Sequence, residues 1–527
     1  MLIDGRNVAA GSELSTDICI VGAGAAGITL GCAFLDSGFS VTILESGGLQ
    51  ADPATQSLAV GEIGGIGNVP LVSSRLRTFG GATGLWGGWC RPFDAIDFEQ
   101  RPWVPHSGWP IKRADLDDYY LQAQKICELG SFDYDPAHWE LSCEPPLPLP
   151  DADIRTRLVQ FSTPTRFGTR YRAPLVASSN VTVCIHSNVV QIEPTESGQV
   201  RRLHVATLDG NRFTIRATQY VLAASGIENA RLMLASNQII NTGIGNPHDV
   251  VGRYYADHMQ LDTAGVFPLR KDVSFSLYRG EDRHVMRRPR LEGGTPIAVM
   301  GYLTFSAELQ KSARILNYSC KIPRSSLGDY YLHTQSQRII AAPYRKKLVE
   351  RARTFADSAS EAVSIACRRM LGKEHTFYKV VTTQEQAPNP GSRVILGGTR
   401  DRLGIPVARL QWELTDLDRH TVKVAIARLR QAFAASGIAR LSAPIDLDGN
   451  SWPSNMGCSW HHCGMTRMHE DPRQGVVDAN CRVHGIHNLH IAGSSVFTTN
   501  GHGNPTLTVV ALALRLADRL RRVMAGR

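Results

Sequence analysis

A chain of 527 residues exceeds the roughly 100 to 200 residues of one domain, so two or more lobes are expected. With 43% hydrophobic and 20% charged residues it lies in the ordinary globular range, which excludes low complexity and disorder. The net charge of +9 arises from 57 basic against 48 acidic residues without a basic tail or an arginine–aromatic stripe, so nucleic acid is not an expected partner.

Eleven cysteines without CxxC pairs form neither a disulfide framework nor a zinc ribbon. Cys458 and Cys463 could bridge, but buried thiols are the expectation. Met1 to Thr16 has no basic segment followed by an apolar one, and the strongest apolar run, Leu507 to Leu514, is too short to span a bilayer. A cytoplasmic protein without membrane contact is the default expectation.

In chain order, a buried strand (Asp17 to Val21) leads through a glycine turn into a helix (Ala25 to Ser37), then a second strand (Ser40 to Leu44) ending at Glu45. That is a βαβ unit. Residues 47–110 are rich in Gly and Trp and read as a long irregular segment, a kind of segment that is usually functional. Strands follow from Val181 to Ile185 and from Tyr220 to Ala224, with a helix from Glu228.

The middle of the chain has another texture. Ile297 to Phe305 reads as a strand, and Tyr344 to Leu371 as an amphipathic helix with a basic start, expected to face a core. Arg393 to Leu396 and Pro406 to Trp412 read as antiparallel strands, and Asp416 to Ser436 as a helix. Beyond Ser451 the Gly, Asn and His density of the first segment returns, which suggests that the two ends share one domain. The expected division is 1–257, 258–450 and 451–527: a Rossmann-like α/β domain interrupted by an α+β domain with an antiparallel sheet. In the last helix, from Pro505 to Met524, Arg515, Arg519, Arg521 and Arg522 sit where cations favour the helix dipole and read as structural.

Three constellations carry chemistry. Gly22-Ala23-Gly24-Ala25-Ala26-Gly27 follows a strand and opens a helix, the context in which glycines allow a tight turn, approach to a pyrophosphate and helix–sheet packing. Glu45, at the end of the next strand, can accept both ribose hydroxyls of a dinucleotide; a carboxylate there does not separate FAD from NAD. In the second, Gly80-Gly81 and Gly87-Gly88 flank Trp86 in a loop able to lie along an extended ligand.

The third runs from His461-His462-Cys463-Gly464 through Ala492-Gly493-Ser494 to Gly501-His502-Gly503-Asn504-Pro505. Pro505 suits the first turn of a helix, which puts Asn504 at its N-cap. Six histidines fall between His461 and His490, yet they lack an i, i+4 helix pair or accompanying carboxylates, so no metal is expected.

With these motifs at both ends, over Asp17 to Ile111, Val181 to Leu234 and Gly457 to Leu520, the chain resembles the glucose-methanol-choline oxidoreductase family, more on its pyranose-oxidase and cholesterol-oxidase side. The Ser225-Gly226-Ile227-Glu228-Asn229 stretch matches the family's second signature only loosely. The resemblance implies FAD bound on Gly22, Gly24, Gly27 and Glu45, with Gly80 and Gly81 along the pyrophosphate and flavin and Ala492 and Gly493 closing from the other terminus.

It further implies that His461, with Gly464 three and Met468 seven residues on, is the catalytic base, and that Asn504 is the second member of the pair. His462 is then a neighbour and His502 a nearby polar group. Where some relatives carry a flavin-linking histidine, Gly84-Leu85-Trp86 stands here, so non-covalent FAD is expected. The implied reaction oxidises an alcohol, such as a ring hydroxyl of a sugar, glycoside or polyol, to a carbonyl. His461 takes the hydroxyl proton, a hydride passes to flavin N5, and oxygen or another acceptor takes the electrons. Alternatives are lyase-type chemistry on the same fold and a non-catalytic electron-carrying flavoprotein; an oligomer is possible.

Overall fold

A computed structural model describes residues 1–66, 71–139, 141, 144–163, 165–280, 287–288, 297–325, 377–442, 447, 452–453 and 456–526. The expected helix from Tyr344 to Leu371 lies outside them.

Eight strands form the first sheet. Its parallel centre runs Leu2–Asp4, Val181–Ile185, Val41–Leu44, Glu13–Val21 and Arg212–Leu222, and Val200–Ala206 and Asn188–Pro194 extend it antiparallel. Leu489–Ile491, from the far end of the chain, adds in parallel beside Tyr220 to Leu222. The central strands are buried on both faces, which is why Ile18 to Val21 and Ile43 to Leu44 are continuously apolar.

The glycine-turn helix spans Ala25–Ala33 rather than reaching Ser37. In the turn that follows, the Asn180 side-chain amide donates to the carbonyls of Phe34 and Phe39 (both 2.8 Å), and its oxygen accepts from the Asp36 amide. The expected helix from Glu228 begins two residues earlier, as Gly226–Ala235.

The second sheet has ten strands in antiparallel pairings. Its main path runs Ala439–Ser442, Met259–Pro268, Phe377–Gln384, Tyr318–Lys321, Ile297–Phe305, Ile154–Phe161 and Trp89–Cys90. The helix Asp416–Ser436 begins with a Thr415/Asp418 capping box and stops at Gly437 in the left-handed conformation. Its Val422, Ala425, Leu429 and Phe433 recur at helical spacing and are buried.

Arg393–Arg400 and Pro406–Trp412 pair antiparallel but form a small third sheet, in which Gly61–Gly65 joins in parallel. Residues 47–110 otherwise hold only short elements.

The last helix spans Thr506–Met524, one residue later than expected, with Pro505 at the N-cap position. Asn504 therefore does not cap it, and its side chain turns toward His461. The helix packs on Asp117–Ile126 and Ala25–Ala33. Arg515 donates to the Ala479 carbonyl (2.6 Å), while Arg521 pairs with Asp518 and donates to the Ala33 carbonyl, as structural residues do. Cys458 and Cys463 are free thiols. No described helix is long and apolar enough to cross a membrane.

Candidate active site

The turn between Glu13–Val21 and the helix Ala25–Ala33 is shaped by glycine. Gly22 has φ +103°, and a Cβ there would stand 2.6 Å from the Ala223 carbonyl oxygen; one on Gly27 would meet the Gly22 oxygen at 1.9 Å. Those two glycines serve backbone packing. Gly24 differs, since a Cβ on it would meet no protein atom within 4 Å and the residue lines a cavity of about 470 Å³. Gly81 (φ +54°) lines the same cavity against Gly24, whereas Gly80 lies behind the wall, packed on Gly168 and donating its N–H to the Ala23 carbonyl (2.8 Å).

From the opposite terminus, Ala492 donates to the Leu222 carbonyl and Gly493 (φ +117°) follows; both line the cavity, and a Cβ on Gly493 would again meet nothing. Glu45 stands at one end of this space. Its carboxylate accepts from the amides of Ala23 and Gly47 (both 2.8 Å), and burial pushes the carboxyl up to about 7.

An extended anionic dinucleotide fits this cavity. Gly24 and Gly493 leave open space along it, where a Cβ would meet no protein atom, and Ser74, Arg75 and Arg77 are among the residues that line it.

The other end holds His461 and Asn504. Ala256 and Cys463 exchange backbone hydrogen bonds (3.0 and 2.9 Å), which lays the 460s against the strand entry at 256–258. Gly464 (φ +87°) is required there, because a Cβ would stand 1.8 Å from the Tyr254 carbonyl oxygen. Asp257, buried and pushed up to about 7 by that burial, accepts from the amides of His461 (2.9 Å) and Ser459 (3.2 Å).

His461 Nδ1 lies 2.7 Å from His258 Nδ1, and His461 Nε2 lies 3.4 Å from Asn504 Nδ2. Burial, then the neighbouring His258 and His462, push the His461 imidazole well below its usual range, so it is neutral at pH 7. A neutral imidazole beside an amide donor can receive a hydroxyl proton while the amide orients the oxygen.

His461 and Asn504 also line a second cavity of about 300 Å³ on the side of the ten-stranded sheet, where Gln260, Tyr302, Ser319 and Thr383 face it with Arg91 and Lys321. His502 lines it as well. Its Nε2 is 3.4 Å from Asp94 Oδ2, and its ring meets Tyr302 edge-on. His462 opens instead onto the larger cavity. Among the described residues, no group of three His, Cys, Asp or Glu side chains could hold a metal ion.

His258 and Asp257 escape the sequence reading, in which His258 marks only a domain boundary. The available signal was an Asp-His pair opening a strand, and it gains meaning only from contact with a segment 203 residues later.

A family model described as GMC oxidoreductase matches residues 388–513. The 2-methyl-1,2-propanediol dehydrogenase of Mycolicibacterium austroafricanum is 23% identical, covering 96% of this chain and 95% of that protein. The 6'''-hydroxyparomomycin C oxidase of Streptomyces lividus is 26% identical over 97% and 92%. In fold, the chain is similar to a fungal aryl-alcohol oxidase, with a TM-score of 0.59, 14% identity, and coverage of 97% of this chain and 99% of that one.

Proposed function

We propose, from the GMC oxidoreductase model matched at residues 388–513 and the alcohol-oxidising relatives, that the chain is an FAD-dependent member of the glucose-methanol-choline oxidoreductase family that oxidises a ring hydroxyl of a sugar, glycoside or similar polyol. The observation that carries this reading is the His461–Asn504 pair, 3.4 Å apart and lining both cavities. Bound in the larger cavity, FAD supplies the hydride acceptor.

The rest is the protein's part. Gly22, Gly24, Gly27, Gly80, Gly81, Ala492 and Gly493 shape the cofactor cradle and Glu45 receives the ribose hydroxyls. The smaller cavity sets hydroxyl, amide and cationic side chains beside Trp89, Val159 and Met300, a lining that can meet both the hydroxyls and the C–H faces of a sugar or polyol. Asn504 donates to the substrate oxygen and holds it, and His461 takes the hydroxyl proton as the carbonyl forms. Residues 1–257 and 451–527 make the cofactor domain and 258–450 most of the substrate domain. The loop from Gly81 to Gly88 contains no His, Cys or Tyr, in keeping with non-covalent FAD, which denaturation would release into solution.

The test is an anaerobic titration of the FAD-loaded protein with D-glucose, methyl β-D-glucoside, 2-methyl-1,2-propanediol, benzyl alcohol and cholesterol, following the visible flavin absorbance. The sugars or the diol should bleach it, and re-oxidation on admitting air would identify oxygen as an acceptor. His461→Ala should keep its FAD but bleach roughly 10²- to 10⁴-fold more slowly. Bleaching by none of the five, bleaching by benzyl alcohol or cholesterol alone, or undiminished bleaching in His461→Ala would refute the reading.

A further inference from the structure

The hydrogen inventory behind His461 leaves one arrangement. His258 Nε2 lies 3.0 Å from the carbonyl oxygens of both Asn500 and Gly501, which only accept, so this nitrogen carries a hydrogen. In the neutral ring Nδ1 is then bare. That bare nitrogen sits 2.7 Å from His461 Nδ1, which must donate to it. His461 in turn keeps its Nε2 bare, on the side where the Asn504 amide donates. Reversing the chain would set the His258 Nε2 lone pair against two carbonyl oxygens.

Resting on the reading of His461 as base, we propose that His258 is a positioning residue that fixes the tautomer of His461, so that Nε2, and not Nδ1, is the nitrogen ready to accept the substrate's proton. When the hydroxyl O–H bond breaks and the Nε2–H bond forms, the resulting imidazolium keeps its Nδ1–H on His258, a charge-assisted hydrogen bond that stabilises the cation. A protonated His258 would invert the arrangement, donating to His461 Nδ1 and leaving Nε2 capped with hydrogen.

The surroundings keep His258 neutral. Its burial and the nearby His502 lower its basicity; the Asn500 and Gly501 carbonyls and Glu385 act the other way without outweighing them. His462, on the His461 segment, and Asp257, beside His258, are further titratable groups next to the pair.

The test uses the FAD-loaded full chain labelled with ¹⁵N-histidine, with His461→Ala and His258→Leu spectra assigning the two rings. At pH 7.5 the expected spectrum has His461 protonated at Nδ1 and bare at Nε2, with the opposite pattern for His258. His258→Leu, which removes the acceptor, should populate the Nε2–H form of His461. It should also slow bleaching by the fastest of the five alcohols roughly 10- to 100-fold at nearly unchanged apparent affinity, and His258→Asn, which restores an acceptor oxygen, should recover part of the rate.

A wild-type spectrum with His461 protonated at Nε2 would overturn the proposal, and so would a His258→Leu enzyme, fast or slow, whose His461 keeps Nε2 bare. Should His258→Leu fail to fold, the wild-type spectrum decides, with His258→Asn assigning the second ring. Should no alcohol bleach the wild type, the assignment of function fails while the spectrum still decides the tautomer.

Discussion

Glu45 carries a pH dependence that belongs to one side chain. Burial raises its carboxyl to about 7 in the protein alone, against two backbone N–H donors that favour the ionised form. A group raised in the folded state favours folding below its unfolded value and loses that contribution as pH rises toward 7, so on this account the apoprotein is less stable at pH 8 than at pH 5. On the proposed placement of the FAD ribose at Glu45, its hydroxyls donate to the carboxylate, so FAD binds the ionised form better. Affinity should therefore rise from pH 5.5 to about 7 and level off above it, by at most about tenfold per unit. Fluorescence titration of apoprotein with FAD checks this, and Glu45→Gln should bind more weakly with the slope gone. His461 gives the opposite expectation for turnover: with its imidazole held well below the usual range, bleaching should stay level as pH falls from 8 through 6.5, where an ordinary histidine base would already be failing. At this scale Glu45, His461 and Asn504 could be picked out as candidates because local motifs mark them, and all three line one cavity. His258 could not, because its meaning lies in a contact across 203 residues.

The glycine turn divides its work within one element. Gly24→Ala adds a methyl that meets no protein atom but enters the cavity, so the variant should fold with an unchanged melting temperature and bind FAD poorly. Gly27→Ala pushes the helix away from the Gly22 carbonyl and should lower the melting temperature itself. Thermal melts of both apoproteins, followed by FAD titration, separate the two; equal loss of stability in both would refute the division. Elements whose burial pattern is self-contained, such as Val181–Ile185, Ile297–Phe305 and Asp416–Ser436, match their sequence signals to the residue. The helix Ala25–Ala33 does not: from Phe34 the chain turns, and Asn180, from a distant segment, bonds the Phe34 and Phe39 carbonyls of that turn.

Across the whole molecule, the joining of the two chain ends was legible in their shared composition, and Leu489–Ile491 beside Tyr220 to Leu222 realises it. The tie between the loop-rich 93–116 region and the ten-stranded sheet was not, because it rests on side-chain contacts between distant segments, among them a buried ion pair whose partners lie 284 residues apart. Arg101 and Glu385 are both almost fully buried and bound in a bidentate fork of 2.8 and 2.5 Å. Glu385 also accepts from the Asn317 amide, and the Asn317 side chain donates to Asp97, whose carbonyl receives Thr499 Oγ1 and whose carboxylate packs on Gly501. The pair thus supports the same 499–501 turn whose carbonyls hold His258. Arg101→Met strands a buried carboxylate and should cost about 3 to 5 kcal/mol in urea unfolding. Arg101→Met with Glu385→Leu removes both charges, leaving only the Asn317 amide unpaired, and should be less damaging than the single change, because the stranded charge and not the lost attraction is the larger cost. Both should also slow alcohol-dependent bleaching if the turn relaxes, and a folded Arg101→Met enzyme with undiminished rate would mean that the 499–501 turn holds its place without this support.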